Sequence, residues 1–440
     1  MNKNLFFRNK IFISFALILI LVAIIAFYHF SFLDKSLFTG QPVVGHLPPQ
    51  TAIFPTTHEY PFFAEATQSS SSGPTQFSFG QCDNLACTSF SSTPIDNVTN
   101  GQYISAVNAV RLHNGLRFMV YAMNPIGLNI IKVATCNNSA CTAPTYATIV
   151  SSSSHYFTQP VVAIGADGNP VIAYFEEEFV GGQYTSLIKF VQCTTSTCTT
   201  HGPINYVDTT YVSTYYAHLS LAVEGNGAPV IAYTFVAPNI SFANLKLAVC
   251  NNPPSCTSWY TKQFDNHWNS GSYPQIAILP SGFPALAHST WNGALGQLLY
   301  IQCSDYLCQN PYNTAVLASG YANNNYRYGY ISSIVGPDGN FIVAYRNLEA
   351  NNQLSVTKCT TPSCSSVTIS PIGTNSGYET GIAIGFDGNP IITTKSSNLQ
   401  NYTQPIIIHC PTSDCSGSLD ITPLNVQSPN IQPRAIGVAQ

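Results

Sequence analysis

Fourteen cysteines fall along this chain as seven close pairs: Cys82/Cys87, Cys136/Cys141, Cys193/Cys198, Cys250/Cys256, Cys303/Cys308, Cys359/Cys364 and Cys410/Cys415. Six pairs enclose four residues and one encloses five, and successive first cysteines lie 54, 57, 57, 53, 56 and 51 positions apart. A period near 55 means one supersecondary unit copied seven times. Local pairing at constant spacing reads as seven local disulfides, which need an oxidising compartment. Zinc thiolate sites bring two shorter pairs together, and pairs so far apart in radial repeats do not converge.

Other features keep phase with the cysteines. VVAIGADGNPVIAY (161–174), LAVEGNGAPVIAY (221–233), IAILPSGFPALAH (276–288), SIVGPDGNFIVAY (333–345) and GIAIGFDGNPIIT (381–393) each join two apolar runs through a Gly-containing turn, with a weaker copy at 106–122. Asp-Gly and Asn-Gly between apolar runs signal hairpins, and a two-residue turn with both residues at positive φ is expected. The runs show little polar alternation, so both faces should be buried. A third strand ends at the first cysteine, and a fourth is expected to begin at the second, with the bridge linking facing residues of that hairpin and stapling an exposed outer edge.

A four-stranded meander of about 55 residues cannot cover two faces alone. Stacked radially, such sheets make a propeller. The expected fold is all-β: a seven-bladed β-propeller of four-stranded antiparallel blades over 59–440, preceded by one N-terminal transmembrane helix. Only two strands fit before Cys82, near 58–66 and 75–82, whereas NIQPRAIGVAQ (430–440) resembles an inner strand. The C-terminal strand, 431–440, is therefore expected to complete the first blade and close the ring.

The repeat IAIGxDGNPVIAY…LKxAxCxxxxCT resembles propeller repeats of bacterial secreted and surface proteins in the sialidase-like and NHL-like class. The resemblance covers about 59–440 and implies fold, not activity, since this class hosts lyases, hydrolases, lectins and scaffolds. The S-x-D-x-G-x-T-W box of the bacterial sialidases is missing, and the spacing exceeds the roughly 42 residues of NHL repeats.

Lys3, Arg8 and Lys10 precede an apolar run from Ile11 to Leu33. As a helix it spans about 34 Å, enough for a hydrocarbon core of about 30 Å. The expected arrangement is a cytoplasmic tail at 1–10, a single-pass signal-anchor at 11–33, a Pro/Thr-rich stalk at 34–58 and a propeller outside the cytoplasm. Cleavage of the segment would make the protein secreted instead. Charged residues are 8% of the chain and the formal charge is -4. That balance excludes nucleic acid as a partner.

One face of the disc should carry short polar cysteine turns and the Asp-Gly turns. The other should carry long loops rich in aromatic residues, where rings can stack on sugars while amides and guanidinium groups bind hydroxyls or carboxylates. Tyr156, Tyr215, Tyr216, His267, Trp268, Trp291, Tyr326, Arg327, Tyr328 and Arg346 are the candidate contacts for a surface glycan or a protein ligand. Any one Tyr also suits packing between blades. Catalysis would need groups such as Glu176, Glu177 and Glu178, expected to form a solvated loop, or convergence of Arg327, Arg346 and Arg434. No nucleophile elbow, phosphate-cradling loop, zinc motif or EF-hand loop occurs, so no cofactor or metal is indicated. The expected role is ligand binding or adhesion; a carbohydrate-active enzyme and a non-catalytic envelope scaffold are the alternatives.

Overall fold

The computed structural model describes residues 60–68, 75–98, 103–124, 127–180, 183–211, 218–238, 243–264, 271–291, 295–309, 311–321, 328–347, 353–373, 376–397, 403–424 and 435–439. The chain forms a seven-bladed all-β propeller of four-stranded antiparallel blades. Blade two illustrates the unit: Tyr103–Arg111 is the inner strand, followed by Arg117–Asn124, Asn129–Cys136 and the outer strand Thr145–Ser152, each paired with the next. Blades three to seven repeat this order from inner strands at Tyr156–Ile164, Leu219–Val223, Ser272–Ile278, Tyr328–Val335 and Ser376–Ile384. In blade one, Phe62–Gln68, Thr75–Cys82 and Phe90–Val98 pair in sequence, and Ala435–Ala439 pairs with Phe62–Gln68, Phe62 opposite Ala439. Among the described residues no helix is long and apolar enough to cross a membrane. The run at 11–33 lies outside them.

The core is not central but divided among the seams. Seven apolar clusters each join two neighbouring blades. In blade three, Ile172 and Tyr174 meet blade two, whereas Val171, Ala173 and Phe175 meet blade four. This is the alternation of a strand with both faces buried, which explains why the second strands read as unbroken Val/Ile/Ala runs.

All seven cysteine pairs are bonded as their spacing predicts: Cys82–Cys87, Cys136–Cys141, Cys193–Cys198, Cys250–Cys256, Cys303–Cys308, Cys359–Cys364 and Cys410–Cys415, with Cα separations of 4.6 to 5.2 Å. Their setting corrects the expectation in two respects. First, the second cysteine does not open the outer strand. Cys87, Cys141, Cys198, Cys256, Cys308, Cys364 and Cys415 all lie in the loop, and the outer strands start later, at Phe90, Thr145, Asn205, Trp259, Pro311, Val367 and Asp420. The first cysteine therefore faces a residue beyond its bonded partner, as Cys82 faces Phe90 and Cys359 faces Val367. The reason is backbone conformation. Cys87, Cys141 and Cys308 hold φ of 51°, Cys198 53°, Cys256 45°, Cys364 54° and Cys415 57°, in the left-handed region, away from the extended backbone with which a strand opens.

The N–H of each second cysteine closes a small turn inside the loop instead. Cys87, Cys141, Cys198, Cys308, Cys364 and Cys415 donate to the carbonyl three residues back, as Cys198 does to Thr195 at 3.0 Å. Cys256, in the one loop with an extra residue, donates to Asn252 four residues back at 3.2 Å. Second, the bridges are not edge staples. No cysteine is more than 3% exposed, and each pair lies in the cluster shared with the preceding blade, as Cys193 and Cys198 do with Ile131 and Val133. Closing so short a loop is worth roughly 2 kcal/mol in the chain-entropy model, and the bridge here adds buried sulfur to a seam.

The turns between inner and second strands also depart from the expected type. Gly165 donates to the Asn169 carbonyl and Gly168 to the Gly165 carbonyl, at 2.8 and 2.9 Å. Only Gly168 has positive φ, at 80°, so this is a longer loop in which a glycine in the left-handed region follows the tight turn. Gly227, Gly282, Gly339 and Gly388 do the same in later blades. Asp167, Asp338 and Asp387 brace their turns by accepting from the backbone N–H two residues on. The same carboxylates meet the residue just before a cysteine: Gln192, Lys358 and His409.

Candidate functional site

One buried position recurs in every blade. At the fifth position of the second strands stand Tyr121, Tyr174, Tyr233, His288 and Thr394, with Glu65 and Tyr345 at the matching places in blades one and six. All are buried. In two seams the tyrosine finds an aspartate on the preceding blade. Tyr121 donates to Asp96 at 2.8 Å and Lys132 reaches the same oxygen at 2.6 Å. Tyr233 and Lys246 do likewise with Asp208, at 2.5 and 2.6 Å. Both aspartates follow a bulge in the outer strand, which turns them toward the next blade. Buried beside these carboxylates, both phenols are held well above their ordinary pKa, by desolvation first and the aspartate charge second.

Blade three breaks the pattern. Val150 stands where an aspartate would, opposite Ile131 beyond the outer-strand bulge. Lys189 instead meets Glu176 of its own blade at 3.2 Å. The acidic run Glu176–Glu178 is thus no solvated loop. It continues the strand Pro170–Val180, pairing with Thr185–Leu187 on one side. Glu177 is buried, and Glu176 and Glu178 are half-buried. Alternation puts Glu176 and Glu178 on the blade-two side, the side of Tyr174. His155 joins them there: Nδ1 lies 2.7 Å from Glu176 Oε1 and Nε2 lies 3.6 Å from Glu178 Oε1. Asn129 donates to the His155 carbonyl at 2.8 Å and fixes that segment.

A second feature lies nearer the axis. Opposite the tyrosine column, inner strands carry one extra residue, and in blades three, five and six that residue is Gln159, Tyr273 or Tyr330 at φ between 48° and 53°. Non-glycine residues adopt this region at a cost and only where neighbours impose it. Gly271 supplies the constraint in blade five. Its N–H donates to Ser289 at 3.0 Å, its carbonyl accepts from Thr234 at 3.0 Å, and a Cβ there would fall 2.1 Å from the Leu245 nitrogen. Tyr273 is thereby set between His218 of blade four, ring centroids 4.1 Å apart, and Tyr330 of blade six, 5.4 Å apart. The three half-buried rings form an arc across three inner strands on the loop face. Desolvation pushes the His218 pKa down to about 4, so its imidazole is neutral at pH 7.

The structure spreads the described candidate contacts over several seams. Tyr156 is exposed and pairs with Glu177 on the blade-four side, away from His155. Trp291 ends the second strand of blade five on the side facing blade six, and its indole nitrogen is buried without an acceptor among the described residues. Arg346 is half-buried on the side of blade six facing blade seven. Tyr328 opens the inner strand of that blade, opposite Asn347. Tyr215, Tyr216, His267, Trp268, Tyr326 and Arg327 lie outside the described residues, as does Arg434. Sequence reasoning missed His218, whose signal was its place six residues before a turn, matching Tyr273 and Tyr330.

No protein-family model and no curated protein sequence matches the chain. Solved structures that resemble it are propellers of low identity. A protein of unknown function from Dyadobacter fermentans is 10% identical with a TM-score of 0.48, covering 69% of this chain and 93% of its own. An α-L-arabinanase from Penicillium chrysogenum, complexed with arabinobiose, is 11% identical with a TM-score of 0.47, covering 73% and 93%. The α-L-arabinofuranosidase Arb93A from Fusarium graminearum is 10% identical with a TM-score of 0.46, covering 74% and 94%.

Proposed function

We propose that this protein is an exported, disulfide-stapled propeller that binds carbohydrate at the axial mouth of its loop face. The observation that carries the reading is the arc His218–Tyr273–Tyr330, three half-buried rings of which Tyr273 and Tyr330 stand on strained backbone. Aromatic faces of this kind suit the apolar faces of sugars, and the phenol and imidazole edges suit hydroxyls. The segments bearing Tyr215, Tyr216, His267, Trp268, Tyr326 and Arg327 precede the same inner strands in sequence and would extend the contact surface. Seven disulfides agree with an oxidising compartment. The segments 11–33 and 34–58 would hold the domain outside the membrane as anchor and stalk. Ala435–Ala439 would close the ring, a role supported by its pairing with Phe62–Gln68 and its packing between the inner strands of blades seven and two.

A glycan array probed with the full-length oxidised protein tests the binding. Saturable binding that falls at least about tenfold in Tyr330→Ala and His218→Ala, but survives Tyr330→Phe, is expected. Silence on the array, or binding indifferent to both alanine variants, overturns it.

A second reading keeps the ligand class and adds cleavage. Its specific observation is the half-buried pair of carboxylates Glu176 and Glu178 on the loop face, the residue type that glycoside cleavage uses in pairs. Arabinans, sialosides and ulvan oligosaccharides form the substrate panel. Turnover lost in Glu178→Gln would establish the enzyme; binding without turnover would leave the binding module.

A further inference from the structure

The geometry points to a divalent-cation site at the loop-face end of the seam between blades two and three, built by His155, Glu176 and Glu178. One ligand atom from each residue lies within 4.8 Å of the others. All three side chains are half-buried, so they are pre-positioned yet reachable by an ion. The two carboxylates outnumber the one ammonium of Lys189 beside the imidazole, which attracts a cation. Balancing Lys189 accounts for Glu176 alone. His155 and Glu178 lie beyond that pair.

An independent observation concerns Tyr174. Its side chain is 0% exposed and its hydroxyl has no hydrogen-bond partner among the described residues, whereas Tyr121 and Tyr233 give theirs to Asp96 and Asp208. A buried polar atom without a partner is costly to leave dry. Tyr174 and Glu176 share one face of the same strand, two residues apart, and the Glu176 charge acts on the phenol. A water in the shell of a bound ion would meet it there.

The sequence supports the same place. At the position of Glu176 the other blades carry Thr67, Met123, Phe235, Thr290, Asn347 and Ser396. The departure belongs to one blade, so the repeat fold does not require it. One imidazole nitrogen with two carboxylate oxygens suits Zn²⁺, at bonds of about 2.0–2.2 Å. The imidazole disfavours Ca²⁺ and Mg²⁺, which take oxygen ligands.

Titration calorimetry of the full-length oxidised protein with ZnCl2 at pH 7 decides the matter, with Co²⁺ absorption as a spectroscopic check. One saturable equivalent is expected, weakened at least about tenfold by His155→Ala and by the near-isosteric Glu178→Gln. His409→Ala is the control, since that imidazole also lies between two carboxylates, Asp387 at 2.9 Å and Asp420 at 3.7 Å. It should leave binding unchanged. Thermal melts identify any variant that fails to fold, and Glu178→Gln then carries the decision. Absence of saturable uptake, uptake that survives Glu178→Gln in folded protein, or uptake abolished by His409→Ala each overturns the site. Because the readout is metal uptake, the result is independent of the glycan assay.

Discussion

Replacing Asp208 by Ala should cost more than any contact it makes would suggest, and the structure shows why. One oxygen of Asp208 accepts both the Tyr233 hydroxyl at 2.5 Å and the Lys246 ammonium at 2.6 Å. The Lys246 and Asp208 side chains are only 16% and 20% exposed. Removing the carboxylate strands a largely desolvated ammonium and a buried phenol together. A hydrogen bond to a charged group contributes about 1.5–3 kcal/mol, and breaking a fully buried pair costs about 3–5. Residual hydration of Lys246 and its position 4.0 Å from the Phe235 ring centroid lower the figure. About 2–3 kcal/mol is expected for Asp208→Ala. Lys246→Met removes the stranded charge, so the double variant should be less destabilised than the sum of the singles by about 1–2 kcal/mol. Urea unfolding of oxidised protein, read as a midpoint shift at unchanged slope, measures both quantities. A single variant within about 0.5 kcal/mol of wild type, or strict additivity, would refute the claim that this triad holds blades three and four together.

Deleting 431–440 should abolish cooperative melting or export, since three strands would then remain in blade one; a truncated chain with an unchanged melting temperature sinks the closure. Gly271→Ala should be severely destabilising by thermal melt, because the added Cβ meets the Leu245 backbone at 2.1 Å and φ is +85°. Cys193→Ala/Cys198→Gly should be more stable than Cys193→Ala/Cys198→Ala by about 1 kcal/mol, since residue 198 holds φ of 53° without the bridge's help only if glycine stands there. Burial raises Glu65 to about 7 and Glu224 to about 9, against 4.5 for a free Glu. Their folded pKa values lie above the unfolded one, so their contribution is complete below about pH 4.5 and declines as pH rises, through about 7 for Glu65 and about 9 for Glu224. Urea midpoints should fall across that window, and Glu65→Gln should flatten its lower half by an amount on the order of 3 kcal/mol; a parallel profile contradicts it.

Blade number, disulfide pairing and the strand order of blades two to seven were legible because each depends on residues fewer than about 60 positions apart and recurs from blade to blade. The backbone at the second cysteines was not, because spacing fixes which sulfurs meet and leaves open whether Cys87 or Cys364 sits in a strand or in the loop before it. The turn type was hidden too. Asp-Gly demands one glycine at positive φ in either turn, and only the register of Gly165 with Asn169 distinguishes them. Glutamate is a poor strand former, so Glu176–Glu178 read as a loop; cross-strand pairing and the Lys189 charge overrode that preference. The need for that charge is visible only in the seam, where Val150 replaces the aspartate seen in two others. The arc of His218, Tyr273 and Tyr330 was partly visible as aromatic residues ahead of inner strands. What sequence could not supply was the bulge that re-aims Tyr273 and Tyr330 and the radial packing that makes residues about 55 positions apart into neighbours.

A repeat fold allows structural and functional demands to be separated position by position. The cysteine turns face the same problem in every blade and solve it alike, with positive φ at the second cysteine and a bridge buried against the preceding blade. That side of the disc is therefore occupied by stability. The column residues sit between the two sides, and their substitutions are compensated: where Val150 removes a counter-charge, Glu176 restores it. Above the column the compensation stops. His155 and Glu178 add an imidazole and a carboxylate beyond the Lys189–Glu176 pair, and Tyr273 and Tyr330 hold unfavourable backbone with their rings half-buried. Strained backbone without a bridge or turn to require it is the kind that clusters at ligand sites. Both departures lie on the loop face, one at the seam of blades two and three and the other across blades four to six, so that face is where ligands should be sought.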